Sequence, residues 1–271
     1  MLSAEEGNKN IGEHIQSGKP LSVIRLRSET TCLDWYLSHN YPKTFPSFYE
    51  VNGGLYPLNK TVIEYYSKTI KEGIELCDYS AYWPMHKEQY DNYGKKVKKM
   101  ILLHNRSLEP FYFDDPWSQY LENKKVLIVH PFVDSIKSQY LKKDLLWVNK
   151  KILPNFTLEV LKSEQSSGGG EKKYKTWIES LNSMVKKIKN IDFDVTLLGC
   201  GCYDIPLSNE IKKMGKQSII IGGGLQILFG IKGKRWDKHP VISKFYNNEW
   251  IRPSEEEKPN NFNWVEGGCY W

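Results

Sequence analysis

The chain has 271 residues, 26% of them charged and 13% aromatic, which suits one large α/β domain or two small ones and excludes a disordered chain. Its net charge is +6, carried by scattered lysines such as Lys95, Lys96, Lys98 and Lys99, and Lys186, Lys187 and Lys189. No nucleic-acid motif accompanies that charge, so no nucleic-acid partner is expected. No apolar run approaches the ~20 residues of a membrane span, and the polar, acidic opening MLSAEEGNKNIGEH is unlike a secretory signal. Five cysteines, an odd number, fit a reducing cytoplasm better than a disulfide framework. Lysines such as Lys142, Lys143, Lys150 and Lys151 would also suit peripheral contact with an anionic membrane.

In chain order, residues 7–17 read as a short helix ending at Gly18-Lys19-Pro20. Residues 21–26, LSVIRL, read as a strand with Arg25 near its carboxyl end. Residues 31–39 turn helical, and 40–54, rich in Tyr, Pro, Phe and Gly, form a structured loop. Apolar spacing predicts a helix over 61–76 and a more basic one over 86–102, followed by an aromatic-anchored loop over 108–117. Residues 125–129 are a clear strand ending in His130-Pro131-Phe132. A helix over 135–149, a strand over 157–161, a turn over 166–170 and a helix over 173–189 follow.

The most informative stretch is 191–230, IDFDVTLLGCGCYDIPLSNEIKKMGKQSIIIGGGLQILFG. The run 195–198 ends in Gly199-Cys200-Gly201. A helix carrying Ile205, Leu207, Ile211 and Met214 stops at Gly215, and Ser218-Ile219-Ile220-Ile221 ends in Gly222-Gly223-Gly224. This is a strand–helix–strand unit of a parallel sheet, with glycine at both carboxyl ends, where open α/β sheets place ligands. Cys200 and Cys202 lack the spacing and partners of a zinc set. The expected fold is therefore a single α/β domain over 1–271. It has a Rossmann-like, doubly wound, mostly parallel sheet with helices on both faces. Residues 1–120 would supply an N-terminal part with a helical cap, and 121–271 the Rossmann-like half with an aromatic tail.

Several side chains stand where such a sheet would bind a ligand. Arg25 or Arg27 would neutralise a diphosphate, and Glu29 would hold a metal or a sugar hydroxyl. His130, Asp78 and Asp204 are candidate acids or bases. Asp114 and Asp115 also lie in loops, where turn and capping roles are commoner. Gln139, Gln165 and Gln226 are candidate hydrogen-bond partners of a sugar or base. In the tail, Arg235 with Trp236 and Arg252 with Trp250 suit phosphate pairing and sugar stacking as well as simple packing.

Four phrases carry a resemblance to a known family: GKPLSVIRL, LEPFYFDDPWSQYLENKKVLIVHPF, FDVTLLGCGCYDIPLSNEIKKMGKQSIIIGGGLQILFGIKGKRW and WIRPSEEEKPNNFNWVEGGCYW. They resemble a family encoded in polysaccharide-biosynthesis clusters and in some large viruses, whose chains end in Gly-Cys-Tyr-Trp. The strand-end arginine and the second glycine unit are also similar to GT-D-type glycosyltransferases. That resemblance implies a Rossmann-like sheet, a nucleotide-sugar donor, a glycan or lipid-linked acceptor, and a Mn²⁺ or Mg²⁺ ion held by an Asp-x-Glu motif just after the arginine. Here the family pattern Arg-Phe-Gly-Asp-Gly-Glu is replaced by Arg25-Leu26-Arg27-Ser28-Glu29-Thr30, which leaves Glu29 as the one acid and Arg27 as an added cation. The resemblance places the donor on a floor of Gly199, Gly201, Gly222, Gly223 and Gly224, near Gln226, Arg235 and Trp236. Two rival expectations stand beside it. One is an S-adenosylmethionine-dependent methyltransferase, suggested by Leu198-Gly199-Cys200-Gly201 after a strand. The other is a non-catalytic sugar-nucleotide-binding or assembly protein, suggested by the altered acidic motif.

Overall fold

The computed structural model describes residues 1–271. Seven strands form one sheet: β1 (Leu21–Arg25), β2 (Tyr79–Tyr82), β3 (Ile101–His104), β4 (Lys125–His130), β5 (Thr157–Lys162), β6 (Val195–Leu198) and β7 (Gln217–Ile220). Their order is β3-β2-β1-β7-β6-β4-β5, and every pairing is parallel. The central strands are buried on both faces, as parallel strands must be, and successive residues alternate between two cores. Leu21, Val23, Val126, Ile128, Val195, Leu197 and Ile219 enter one core; Ile24, Leu127, Val129, Leu198 and Ile220 enter the other.

Helices cover both faces. The first core is covered by α1 (Ala4–Ser17), α6 (Val133–Tyr140) and the aromatic segments 105–121 and 225–271. The second is covered by α2 (Glu29–Ser38), the short α3 (Phe48–Val51) inside the expected 40–54 loop, α4 (Lys60–Leu76), α5 (Lys87–Lys96), α8 (Trp177–Ile188) and α9 (Asp204–Lys213). Local signals set the helix ends. Ser3 and Glu6 form a reciprocal capping box on α1, which Gly18 closes at φ 65°. The Asn59 side chain accepts from Val62 N to start α4, and Thr176 accepts from Glu179 N to start α8.

The N-terminal cap is more deeply built in than the sequence pattern suggests. Residues 21–104 contribute three strands, and β1 is paired directly with β7. The helix expected over 86–102 ends at Lys96, and Ile101–His104 is the edge strand β3. The helix expected over 135–149 is interrupted after Tyr140 and resumes as the single turn α7 (Lys143–Leu146). That break turns Leu146 and Trp147 inward, where Trp147 Nε1 donates to Leu228 O at 2.8 Å.

The tail does pack down through aromatic anchors. Trp236, Trp250 and Trp271 are all buried, each adding roughly 1.5–3 kcal/mol of apolar burial. The Glu257 carboxylate is buried and accepts from Asp134 N (2.9 Å) and Ser135 N (3.1 Å), capping α6 and fastening the tail to it. No helix is long and apolar enough to cross a membrane.

Candidate functional site

A cavity of about 370 Å³ opens at the carboxyl ends of β1, β4, β5, β6 and β7. Its position follows from the winding. The chain leaves β4 and β7 toward the first core, through α6 and α10 (Gly224–Leu228), and leaves β1 and β6 toward the second, through α2 and α9. Neighbouring connections therefore part to opposite sides, which opens a crevice at the strand ends.

The floor is glycine for steric reasons. A Cβ on Gly199 would lie 2.9 Å from both Gly222 O and His130 Cδ2. Gly201 and Gly222 have φ of +66° and +63°, and a Cβ on Gly222 would lie 2.4 Å from Arg25 Nη1. Gly199→Ala is expected to force the two strand ends apart, lowering stability by about 1–3 kcal/mol, read by denaturant unfolding. A variant as stable as the parent would show that this floor has slack.

Asp204 is the first residue of α9 and lines the cavity. Its Oδ1 accepts from Cys200 N at 2.7 Å and from the Cys200 thiol at 3.0 Å. Burial pushes its carboxyl up to about 6, although Cys200, Arg25 and Arg27 act the other way. It is a carboxylate at neutral pH that still accepts a proton readily.

His130, at the end of β4, is buried and faces the same cavity. Its Nδ1 accepts from Phe132 N at 3.0 Å, and burial lowers its pKa to about 3. It is therefore a neutral imidazole with its proton on Nε2. Such a group can donate a hydrogen bond from Nε2, while its Nδ1 lone pair is taken by Phe132 N and burial disfavours the imidazolium that a base would become.

Arg27 and Glu29 both line the cavity. Glu29 Oε2 accepts from Arg27 N at 2.6 Å, fixing the turn into α2. Burial disfavours the Arg27 charge, but Glu29, Tyr270 and Asp204 around it outweigh that and raise its pKa. Arg25 is not in the cavity wall. It packs beneath Gly222, donates from Nη1 to Ile221 O at 2.9 Å, and lies over Trp83 at 5.6 Å. Burial and the charge of Arg27 lower its pKa to about 10, so it stays cationic at neutral pH, and its buried Nε has no partner.

Other expected site residues separate. Gly223 and Gln226 line the cavity, and Gln226 Nε2 ties the tail by donating to Tyr270 O at 3.1 Å. Gly224 turns away toward Ile221 and Glu109. Trp236 packs behind Gly223, and Arg235 pairs with Glu266 and stacks on Tyr270 at 4.7 Å, so both support the tail from outside the cavity. Asp78 lies at the opposite end of the sheet. It precedes β2, accepts from Ser22 N at 2.8 Å and pairs with Lys212 at 2.6 Å, so it has no part in this site.

Sequence reasoning missed much of the wall. Tyr49, Asn52 and Gly53 come from the 40–54 stretch, and Ser163, Glu164, Ser166 and Ser167 follow β5 beside Gln165, which the sequence did offer as a candidate. Val265, Glu266, Tyr270 and Trp271 close the cavity from the tail. The aromatic composition of loop and tail was the available signal. It marked docking without showing which side chains face inward.

The side chains do not fit a preformed divalent-cation site. One Glu29 oxygen, Oε2, already accepts from Arg27 N, and no three His, Cys, Asp or Glu side chains converge. Comparison with protein-family models, curated proteins and solved structures gives no match to this chain.

Proposed function

We propose that the protein is a glycosyltransferase that moves a sugar from a nucleoside diphosphate sugar to a hydroxyl of a glycan or lipid-linked acceptor. The observation that carries this reading is the convergence of Arg27 and Asp204 on one glycine-floored cavity at the sheet's carboxyl edge. A volume of about 370 Å³ lies in the range of small-molecule sites. Cation and carboxylate suit the two charges that develop in transfer. Arg27 stabilises the departing diphosphate, and Asp204 takes the proton of the acceptor hydroxyl. The neutral His130 Nε2–H donates to a phosphate or sugar oxygen. Arg25 acts from behind the floor, adding positive potential and holding the β7 turn through Ile221 O. No step is routed through a metal: the two acids of the resembled pattern fall on Ser28 and Thr30 here, and Arg27, at the pattern's first glycine, supplies the positive charge instead.

The methyltransferase reading loses support at β7. A nucleoside-binding glycine turn is normally followed, about 20 residues on, by an acid that bonds the ribose. Here β7 runs out into Ile221 and Gly222.

A thermal-shift panel of nucleoside diphosphate sugars, run with and without Mn²⁺ or Mg²⁺, tests the proposal. One donor at a hundred times its dissociation constant is expected to stabilise the fold by about 2.7 kcal/mol. A shift with S-adenosylmethionine alone, or with nothing, would overturn it.

A further inference from the structure

One surface lies outside everything described above. Leu141, Leu145 and Val148 are 91%, 58% and 101% exposed, in a chain that otherwise buries most of its large aliphatic side chains. Leu141 lies in the turn after α6, Leu145 in α7 and Val148 just beyond it, so one short segment presents all three. The intervening Leu146 and Trp147 are buried and anchor the segment to the core. The apolar side chains are thus held outward on a fixed projection.

The same segment concentrates positive charge. Residues 137–151 contain Lys137, Lys142, Lys143, Lys150 and Lys151 against the single acid Asp144, a net of +4 where the whole chain carries +6. Lys142 and Lys151 reach surface acids, Glu249 at 3.1 Å and Asp115 at 2.5 Å, Lys143 pairs with Asp144 at 3.0 Å, and Lys137 lies 4.0 Å from Asp134, so with those three outside acids counted the surface keeps a net charge of +1, with Lys150 the lysine that has no acid partner. These are solvent-exposed pairs of little strength. Lys150 donates to the backbone carbonyl of Trp147 at 2.8 Å, which holds its ammonium beside Val148. Lysines are the residues that draw a surface toward anionic headgroups, and a projecting apolar tip suits insertion between them better than docking on a flat protein face.

We propose that the 137–151 projection docks the protein on an anionic lipid bilayer, with Leu141, Leu145 and Val148 entering the headgroup region and the lysines pairing with lipid phosphates. Helix α6 joins this projection to the cavity wall at Phe132, and its eight residues span about 12 Å. A docked molecule would hold the cavity close to the bilayer surface, where a lipid-linked acceptor is found. The docking surface itself does not depend on the transfer reading.

The test is co-flotation of the full chain with vesicles of phosphatidylcholine alone and of equal parts phosphatidylcholine and phosphatidylglycerol. Binding is expected only to the anionic vesicles, and is expected to weaken as salt rises to about 1 M. The triple variant Leu141→Asn, Leu145→Asn, Val148→Asn should bind at least about tenfold less. It changes only exposed side chains, and an unchanged unfolding midpoint would show that the fold is intact. Lys150→Glu with Lys151→Glu should lower binding through the charge alone. No binding of the parent chain to anionic vesicles would overturn the proposal, as would equal binding by the triple variant. A parent chain that instead self-associates, and whose triple variant is monomeric, would assign the face to a second copy and also overturn it.

Discussion

Asp204→Asn is expected to lower sugar transfer by at least about 100-fold while leaving donor-induced stabilisation in place. The amide keeps the shape of the carboxylate and an acceptor oxygen for Cys200 N, so the turn survives and the base is lost. The same variant should change stability in a direction set by linkage. Burial raises the folded-state value from 3.8 to about 6, so folding favours the protonated acid. That contribution is fully present below about pH 4 and is lost as pH rises through about 6. Above this window the parent carries a buried carboxylate that the amide does not. Asp204→Asn should therefore be the more stable protein at pH 8, by on the order of 3 kcal/mol at most, and the two should converge near pH 4. Transfer by the parent should fall by half as pH drops to about 6, following the ionised fraction of Asp204. Pre-steady-state transfer across pH, paired with urea unfolding of both proteins, checks all three. A variant that transfers at the parental rate removes Asp204 from the chemistry.

Arg27→Ala should have its main effect on the donor. It removes the guanidinium in the cavity wall and leaves Glu29 and Asp204 facing the diphosphate without that cation. A charge-assisted contact to phosphate is worth about 1.5–3 kcal/mol, so the dissociation constant for the donor should rise about 10- to 100-fold. Transfer should fall further, because the same cation faces the charge that develops on the leaving group. Arg27→Lys should recover binding more than rate, since an ammonium supplies charge without the planar fork. Calorimetric titration of the donor with the three proteins decides it. Equal affinity of Arg27→Ala and the parent would leave Arg27 a purely structural partner of Glu29.

The central unit was readable because its two apolar runs each end in glycine, and the space left by those glycines is what forms the floor. Strand β2 was not readable. Tyr79-Ser80-Ala81-Tyr82 has little apolar weight and follows a helix directly. Missing it hid the place of Asp78, because a residue just before a parallel strand lies at the end away from the ligand. Strand β3 was absorbed into the basic helix before it by the lysines at 95–99, and its exposed Ile101 shows how weakly an edge strand must declare itself. Arg25 is the last residue of β1 and Arg27 lies two residues on, so a period of two carried past the strand end would put both on one face. What separates them is the Gly222 turn closing over Arg25, together with the bond from Arg25 to Ile221 O, which is 196 residues away in sequence. Asp204 was readable as a candidate from its position after the glycine turn, but its basicity comes from burial that only the packed fold provides.

The pairing of β1 with β7 also bears on how the molecule is made. At about 5–20 residues per second, a ribosome takes roughly 10–40 s to cover the 196 residues between Arg25 and Ile221. Through that interval the inner edge of β1 has no neighbour, while β2 and β3 are already available on its other side. The strand that will lie mid-sheet is, during synthesis, an open edge able to pair with another nascent chain. Demand for a holdase should therefore fall on the first hundred residues, and end when β7 slots in beside β1.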